Sequence, residues 1–497
     1  MKKLFKTCLY TFLLVLTLNH QTRPIPKFDE RLLSEKELMD LVTESQKEDV
    51  SATNISISED DLSEIRAVNP KKPLTFLVFM AADNDLHYFA WKNIKQMEMI
   101  GSNENINVVV QLNTPGHLSP TKRYIVKKGR RILVQDPDTP NKKLNSGNPY
   151  TLIDFVEWAT IHYPADEYAL ILWDHGTGAM DPNFAKTINP CELFYCDPSN
   201  NMLELDRSAG YINIMLQLAA KDHAQQKHGQ QPDRGICFDE TFKSYISNQD
   251  LEFALHEIST KVLRGNKLDL VAFDACLMSM IEIASIAKKY ARFMAGSQEV
   301  EYGTGWNYEL VLKPFSQNSI SSQTLAEHIV YSYEQAYHKI INDYTQSALN
   351  LTLCEELEHN IHAVATLLIE ALADANHHHV INVLKKCKST QHCTCFDEPS
   401  YIDLGHFYKN ILQHLSYIKL QNKQHEAQLQ EKLKSTLLSG LEILSHFVVA
   451  NKTGNKLKNA HGISIYFPEH SMSQSYLKSP FATDNNWGTL LAKYILS

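Results

Sequence analysis

Apolar and polar positions divide the chain into stretches of two different periods. Leu74 to Ala82 is a continuous apolar run, the pattern of a strand covered on both faces. Asp83-Asn84-Asp85 ends it, and an amphipathic helical pattern then runs to about Ile100, where Gly101 stops it. Asn107 to Leu112 reads as the next buried strand, Arg123 to Val126 as a shorter one, and Leu152 to His162 as a helix. Ala169 to Trp173 is a further apolar strand with Asp174-His175-Gly176 at its carboxyl end. Leu268, Leu270, Val271 and Phe273 open another, which passes through Asp274-Ala275-Cys276 into an apolar pattern of helical period reaching Ala291. This alternation predicts an α/β sandwich with a largely parallel sheet.

Beyond about Ser316 the period becomes mainly helical, over Leu325 to Ile341, Glu355 to Leu372 and Gln421 to Ala450. Gly462 to Phe467 returns as a strand that would complete or cover the sheet. The predicted organisation is therefore an α/β region over 73–314, with an insertion at about 180–235, and a helical region over 315–497. Ahead of these, Lys2, Lys3 and Lys6 precede an apolar run from Cys8 to Leu18. That run is too short for an ordinary membrane span and has the form of a signal-peptide core, so 1–19 reads as an export signal, or as a membrane tether if it stays uncleaved. Residues 20–72 are polar and acidic, a solvated linker or a propeptide.

Composition narrows the function classes. In 497 residues, 43% are hydrophobic, ample for a large core, and 48 basic against 57 acidic side chains give a net charge of -9. A mildly acidic chain without a Lys/Arg stripe lacks a nucleic-acid footprint.

A thiol placed where a strand ends and a helix begins lies in the partial positive charge of the helix N-terminus, which favours thiolate. Cys276 is therefore a candidate nucleophile, although free cysteines are also common as small core residues. In an open α/β sheet the ligand crevice lies outside the carboxyl ends of the strands. If the strands ending in His175 and Cys276 are neighbours, thiol and imidazole share one crevice. Asp174 alternates away from the site if His175 points into it, so no orienting acid is assigned. Asp83-Asn84-Asp85 could cap the following helix or offer oxygens to calcium.

A His-Gly at one strand end and an Ala-Cys at a later one resemble the paired signature of the caspase, legumain, gingipain and clostripain superfamily of cysteine peptidases. LVFMAADNDL, INVVVQLN, LILWDHGTG, FDACLMSMIEIA, GSQEVEYGTGWNYE and HGISIYFP resemble the clostripain family in particular, in its order. The resemblance implies a caspase-like fold and amide hydrolysis through a thioester at His175 and Cys276, with no cofactor needed for the chemistry. Backbone N–H groups of Gly176 and Cys276 would form the oxyanion hole.

The same resemblance implies protein or peptide substrates cut after Arg or Lys, with Asp274 holding the basic side chain and Ser297 and Trp306 in the pocket wall. A turn or helix-cap role for Asp274 is the alternative. It also implies self-cleavage between the His and Cys blocks, with Lys186, Arg207, Lys221, Lys227 and Arg234 as candidate sites; an uncut surface insertion is the alternative. Calcium enters only through the family. Cys191 with Cys196, or Cys387 with Cys393 or Cys395, could form disulfides after export; the spacing of Cys387, His392, Cys393 and Cys395 matches no standard zinc finger. A non-catalytic secreted binding protein on the same fold is the contrasting function, and a related peptidase with another P1 preference a third.

Overall fold

A computed structural model of the chain describes residues 70–134, 141–180, 190–208, 210–211, 235–473 and 476–497, with 39, 40, 43, 44 and 47 of a helical stretch before them. The leading segment 1–19, most of the linker or propeptide, and Lys186, Lys221, Lys227 and Arg234 lie outside the described residues.

The chain enters through β1 (Lys72–Ala81), α1 (His87–Ile100), β2 (Ile106–Asn113), β3 (Lys122–Lys127), β4 (Arg130–Val134), α2 (Pro149–His162) and β5 (Ala165–Trp173). The insertion contributes two hairpins, β6 (Phe194–Asp197) with β7 (Met202–Leu205) and β8 (Gly235–Asp239) with β9 (Ser244–Ser247). There follow α3 (Asn248–Glu257), β10 (Leu268–Asp274), α4 (Ile281–Ala287), β11 (Ala291–Gly296), α5 (Tyr308–Leu312), α6 (Ser322–Tyr337), β12 (Thr345–Asn350) and α7 (Cys354–Leu372). The last part holds α8 (His377–Lys388), β13 (Tyr401–Asp403), α9 (Leu404–His414), α10 (Lys423–Phe447), β14 (Val448–Thr453) and β15 (Ser464–Tyr466), and closes with α11 (Pro480–Asp484) and α12 (Asn486–Leu496).

The central sheet has nine strands in the order β14-β12-β11-β10-β5-β1-β2-β3-β4. Its middle is parallel, from β11 to β2, and both margins are antiparallel. One group of helices (α1, α5, α6) and a second (α2, α3, α4, α7) pack among themselves and flank the sheet. β2 and β10 are buried along their whole lengths, as a strand covered on both faces requires. Each fully buried Leu or Ile there contributes about 1.5–3 kcal/mol relative to exposure.

Two expectations about the C-terminal half are corrected. The helix expected to reach Ala450 ends at Phe447, and the apolar Val448-Val449-Ala450 run becomes the edge strand β14, paired with β12. The Gly462–Phe467 stretch supplies β15, which pairs with β13 in a separate two-stranded sheet rather than completing the large one. Among the described residues, no disulfide joins Cys191 to Cys196, or Cys387 to Cys393 or Cys395; the Cys395 thiol lies against the Lys388 and Cys393 carbonyls at 3.6 Å.

Candidate active site

β5 and β10 are direct parallel neighbours, with Trp173 opposite Asp274. The residues that follow each strand therefore emerge side by side at the carboxyl edge, as the strand-end reading expected. His175 is fully buried. Its Nε2 lies 2.9 Å from an Asp85 carboxylate oxygen and its Nδ1 3.1 Å from the Tyr211 hydroxyl. Asp174 turns away from the ring: its carboxylate accepts from the Asn84 amide at 2.7 Å and from the Phe238 N–H. Full burial raises the Asp174 carboxyl well above the usual carboxylate range.

The Asp83-Asn84-Asp85 turn does not cap α1, whose N-cap residue is Leu86 with no side-chain cap bond. It holds the site instead. The Asn84 amide also donates to the Ala81 and Phe238 carbonyls at 3.0 and 3.1 Å, and its oxygen accepts the Leu86 N–H at 2.9 Å. Asp83 pairs with Lys143 at 2.7 Å and accepts from the Thr241 hydroxyl at 2.8 Å. The three side chains thus serve three separate partners and do not converge as calcium ligands. Among the described residues, no group of three or more His, Cys, Asp or Glu is arranged to hold a metal ion.

Cys276 follows β10 by two residues and is almost fully buried. The expected helix N-terminus is displaced: α4 begins only at Ile281. Between thiol and helix the chain makes a turn in which Leu277 takes a left-handed φ of 63°. A branched residue there costs about 1–3 kcal/mol and persists only where its surroundings enforce it. Here the Leu277 N–H donates to the Glu299 carbonyl and the Ser279 N–H to the Ser297 carbonyl. The thiol lies 3.3 Å from the donating Glu301 N–H. Burial and the nearby Glu301 push it well above the ordinary thiol range, so in this state it is protonated. Gly176 sits against this turn, and a Cβ there would come within 2.5 Å of the Cys276 carbonyl oxygen.

Asp274 ends β10 on the same edge. Its carboxylate accepts the Trp306 N–H at 3.1 and 3.2 Å and the Tyr308 hydroxyl at 2.8 Å. The contact from Trp306 is thus made by its backbone, while its ring is buried. Gly305, at φ 61°, presses on the same carboxylate, and a Cβ there would stand 2.8 Å from an oxygen. Glu301, which the sequence did not single out, joins Asp274 as a second buried acid, hydrogen-bonded to it. Burial pushes Asp274 up to about 7, and Glu301, buried and beside Asp274, lies well above the carboxylate range. The pair shares a proton, with Glu301 as donor.

Ser297 does not line this pocket. Its hydroxyl lies 2.9 Å from both the Glu299 carbonyl and the Thr345 hydroxyl, tying the 297–305 loop to β12. The C-terminal region completes that support. Gln298 donates to Asp403 at 3.0 Å and accepts the Gly462 N–H at 3.0 Å, while Asp403 accepts the His461 ring at 2.8 Å. The Tyr401 hydroxyl donates to the Thr177 carbonyl at 2.7 Å and accepts the Met180 N–H. The HGISIYFP block thus acts on the site from a distance.

The insertion closes the crevice. Pro190 lines the pocket together with Cys276, His175, Asp274 and Glu301, and the space left between them is about 20 Å³. That is room for about one water, far less than a substrate side chain needs. Tyr211 is fully buried on the imidazole, and its N–H donates to Asp397 at 2.5 Å. Arg207 is not a loose surface residue: its guanidinium bonds Glu299 at 2.5 Å and Asp343 at 3.2 Å, an arrangement unlike an accessible cleavage loop.

The fold and this edge define the class: an α/β sandwich carrying a thiol and an imidazole over one crevice of a parallel sheet. The chain belongs to the Clostripain family, which it matches over residues 78–205 and 217–493. It is 22% identical to clostripain of Hathewaya histolytica over 293 residues, 53% of this chain and 47% of that protein; the chain thus spans about half the length of the curated relative it matches. A secreted C11 cysteine protease from Bacteroides thetaiotaomicron, solved with an irreversible peptide inhibitor, is similar in fold at TM-score 0.50 and 18% identity, covering 86% of this chain and 100% of that one. An inactive zymogen C11 protease from Parabacteroides distasonis is similar at TM-score 0.52 and 17% identity, covering 86% and 99%. Among the described residues, no helix is long and apolar enough to cross a membrane.

Proposed function

We propose that the chain is an exported cysteine endopeptidase that cleaves after Arg or Lys through Cys276 and His175, and that the uncut chain is its closed form. The observation that carries the reading is the meeting of four groups at one sheet edge: thiol, imidazole, and the two carboxylates of Asp274 and Glu301 lining a single pocket. A guanidinium or ammonium placed there would replace the proton that the two acids share.

In the proposed reaction the Cys276 sulfur bonds to the scissile carbonyl carbon as His175 takes the thiol proton. The C–N bond then breaks and His175 passes that proton to the departing amine. Water, deprotonated by His175, resolves the thioester and regenerates the thiol. N–H groups of Gly176 and Cys276 are the proposed donors to the tetrahedral oxyanion.

Closure belongs to the same proposal. Pro190 and Tyr211 fill the site from the insertion, so activity requires that segment to move, and a cut in 212–234 would free it. Support for export comes from the form of 1–19 and from a structural relative described as secreted. Fluorogenic peptides carrying Arg, Lys, Asn, Asp or Leu at P1 test the reading. It requires cleavage after Arg and Lys that disappears in Cys276→Ala, before or after limited proteolysis of the insertion.

A further inference from the structure

The imidazole of His175 is fully buried and both its nitrogens are engaged, which allows the proton to be placed. A carboxylate only accepts, so Nε2, 2.9 Å from Asp85 Oδ1, carries a hydrogen. In the neutral ring Nδ1 is then the bare nitrogen, and the Tyr211 hydroxyl at 3.1 Å donates to it. The partner of one ring nitrogen fixes which form the other takes.

Asp85 is delivered to that position by a turn with little freedom. β1 and β5 are parallel neighbours paired up to Met80 and Trp173, so the two strand ends travel together. Between Asp83 and Asp85, the side chain of Asn84 is bound by the Ala81 and Phe238 carbonyls, by Asp174 and by the Leu86 N–H. A helix-capping role would need none of this, and α1 has no side-chain cap.

We infer that Asp85 is the positioning residue for His175, holding the hydrogen on Nε2 so that Nδ1 exchanges protons with Cys276 and the leaving amine. The inference rests on the Cys276–His175 reading above. During acylation the thiol proton moves from Sγ to Nδ1 as the S–C bond forms, and from Nδ1 to the amine nitrogen as the C–N bond breaks. Asp85 keeps its hydrogen bond to Nε2–H throughout and faces the imidazolium that forms between the two transfers. In the uncut chain the Tyr211 phenol occupies the place of the group that Nδ1 serves.

Two measurements decide the matter, each on the full chain. First, kcat and KM for a P1-Arg peptide are compared for the processed wild type, Asp85→Asn and Asp85→Glu. The Asn variant should lose about 10²–10⁴-fold in kcat, the range of a positioned acid–base group, with KM unchanged, and Glu should restore part of the loss. Second, imidazole ¹⁵N shifts of His175 are read in Cys276→Ala with and without Asp85→Asn. The parent should show the Nε2–H form and the Asn variant a mixture with Nδ1–H. An unchanged kcat, or a lowered kcat with an unchanged tautomer, overturns the inference, because a merely structural role would not move the tautomer. If no variant including wild type cleaves any peptide, the Cys276–His175 reading fails, and the tautomer still decides whether Asp85 sets the ring.

Discussion

Tyr211 offers the sharpest handle on the closed state. Its hydroxyl bonds His175 Nδ1 at 3.1 Å, its ring lies nearly parallel to the imidazole at 6.2 Å between centroids, and no part of it reaches solvent. Replacing Tyr211 by Phe removes only the hydroxyl bond, about 0.5–1.5 kcal/mol. At about 1.4 kcal/mol per decade this favours opening by roughly 2- to 10-fold. Replacing it by Ala deletes a buried ring, about 3–5 kcal/mol, which is roughly 10²- to 10³-fold or more in the open population. Iodoacetamide, with the Cys276 peptide of uncut protein followed by mass spectrometry, reads that population, because alkylation needs an exposed thiol. Rates should rank wild type, Phe, Ala. Cys354, fully buried in α7 and away from the insertion, serves as the internal reference and should stay at its wild-type rate in all three. Equal Cys276 rates in the three proteins, or a rise in Cys354 that matches Cys276, would refute the assignment of Tyr211 as the plug.

Other expectations follow from the buried acids. Asp274→Asn should lower kcat/KM for Arg and Lys substrates by about 10- to 150-fold, the value of a charged hydrogen bond of about 1.5–3 kcal/mol, and leave any residual cleavage after neutral residues unchanged. Burial holds Asp274 up at about 7 in the closed pocket, and opening the site to solvent relieves part of that cost, so in processed protein KM for an Arg substrate should rise on acidification only at pH below 7, while KM for a neutral analogue does not rise. Glu282 is fully buried, accepts the Tyr466 N–H at 3.0 Å, and is pushed up to about 7 by burial. Its folded value lies above its unfolded one, so ionisation costs stability as pH rises towards about 7. Denaturant unfolding should therefore show Glu282→Gln gaining on wild type by about 1.4 kcal/mol per pH unit as pH rises from the unfolded value of 4.5 to the folded value of about 7, and levelling off above it; a pH-independent difference would contradict the burial cost.

What could be read from residue order was whatever depends on strand period and strand ends. Ala169–Trp173 and Leu268–Phe273 are apolar on both faces, which required a covered parallel sheet and put His175 and Cys276 at its carboxyl edge. The helix expected at Cys276 was misplaced because Met278, Ile281, Ala284 and Ile286 carry an apolar helical period right up to the cysteine, so the pattern could not show that Leu277 turns left-handed first. Asp85 resembled a helix cap because a DND turn serves either purpose, and only the neighbouring strand β5 decides where its carboxylate points. Tyr211, Glu301 and Arg207 act through partners far along the chain, in Asp397, Asp274, Glu299 and Asp343, and no local pattern records such pairings. Val448 to Ala450 continued an apolar helix in composition, although as β14 it pairs with β12 at the sheet margin.

Peptide hydrolysis with and without Cys276 decides whether this thiol is the nucleophile of an Arg- and Lys-directed peptidase. Wild-type protein, after limited proteolysis of the insertion, should cleave P1-Arg and P1-Lys fluorogenic peptides, spare Asn, Asp and Leu, and lose all activity in Cys276→Ala. Cleavage that persists in Cys276→Ala, or no cleavage of any peptide by the opened wild type, would contradict it.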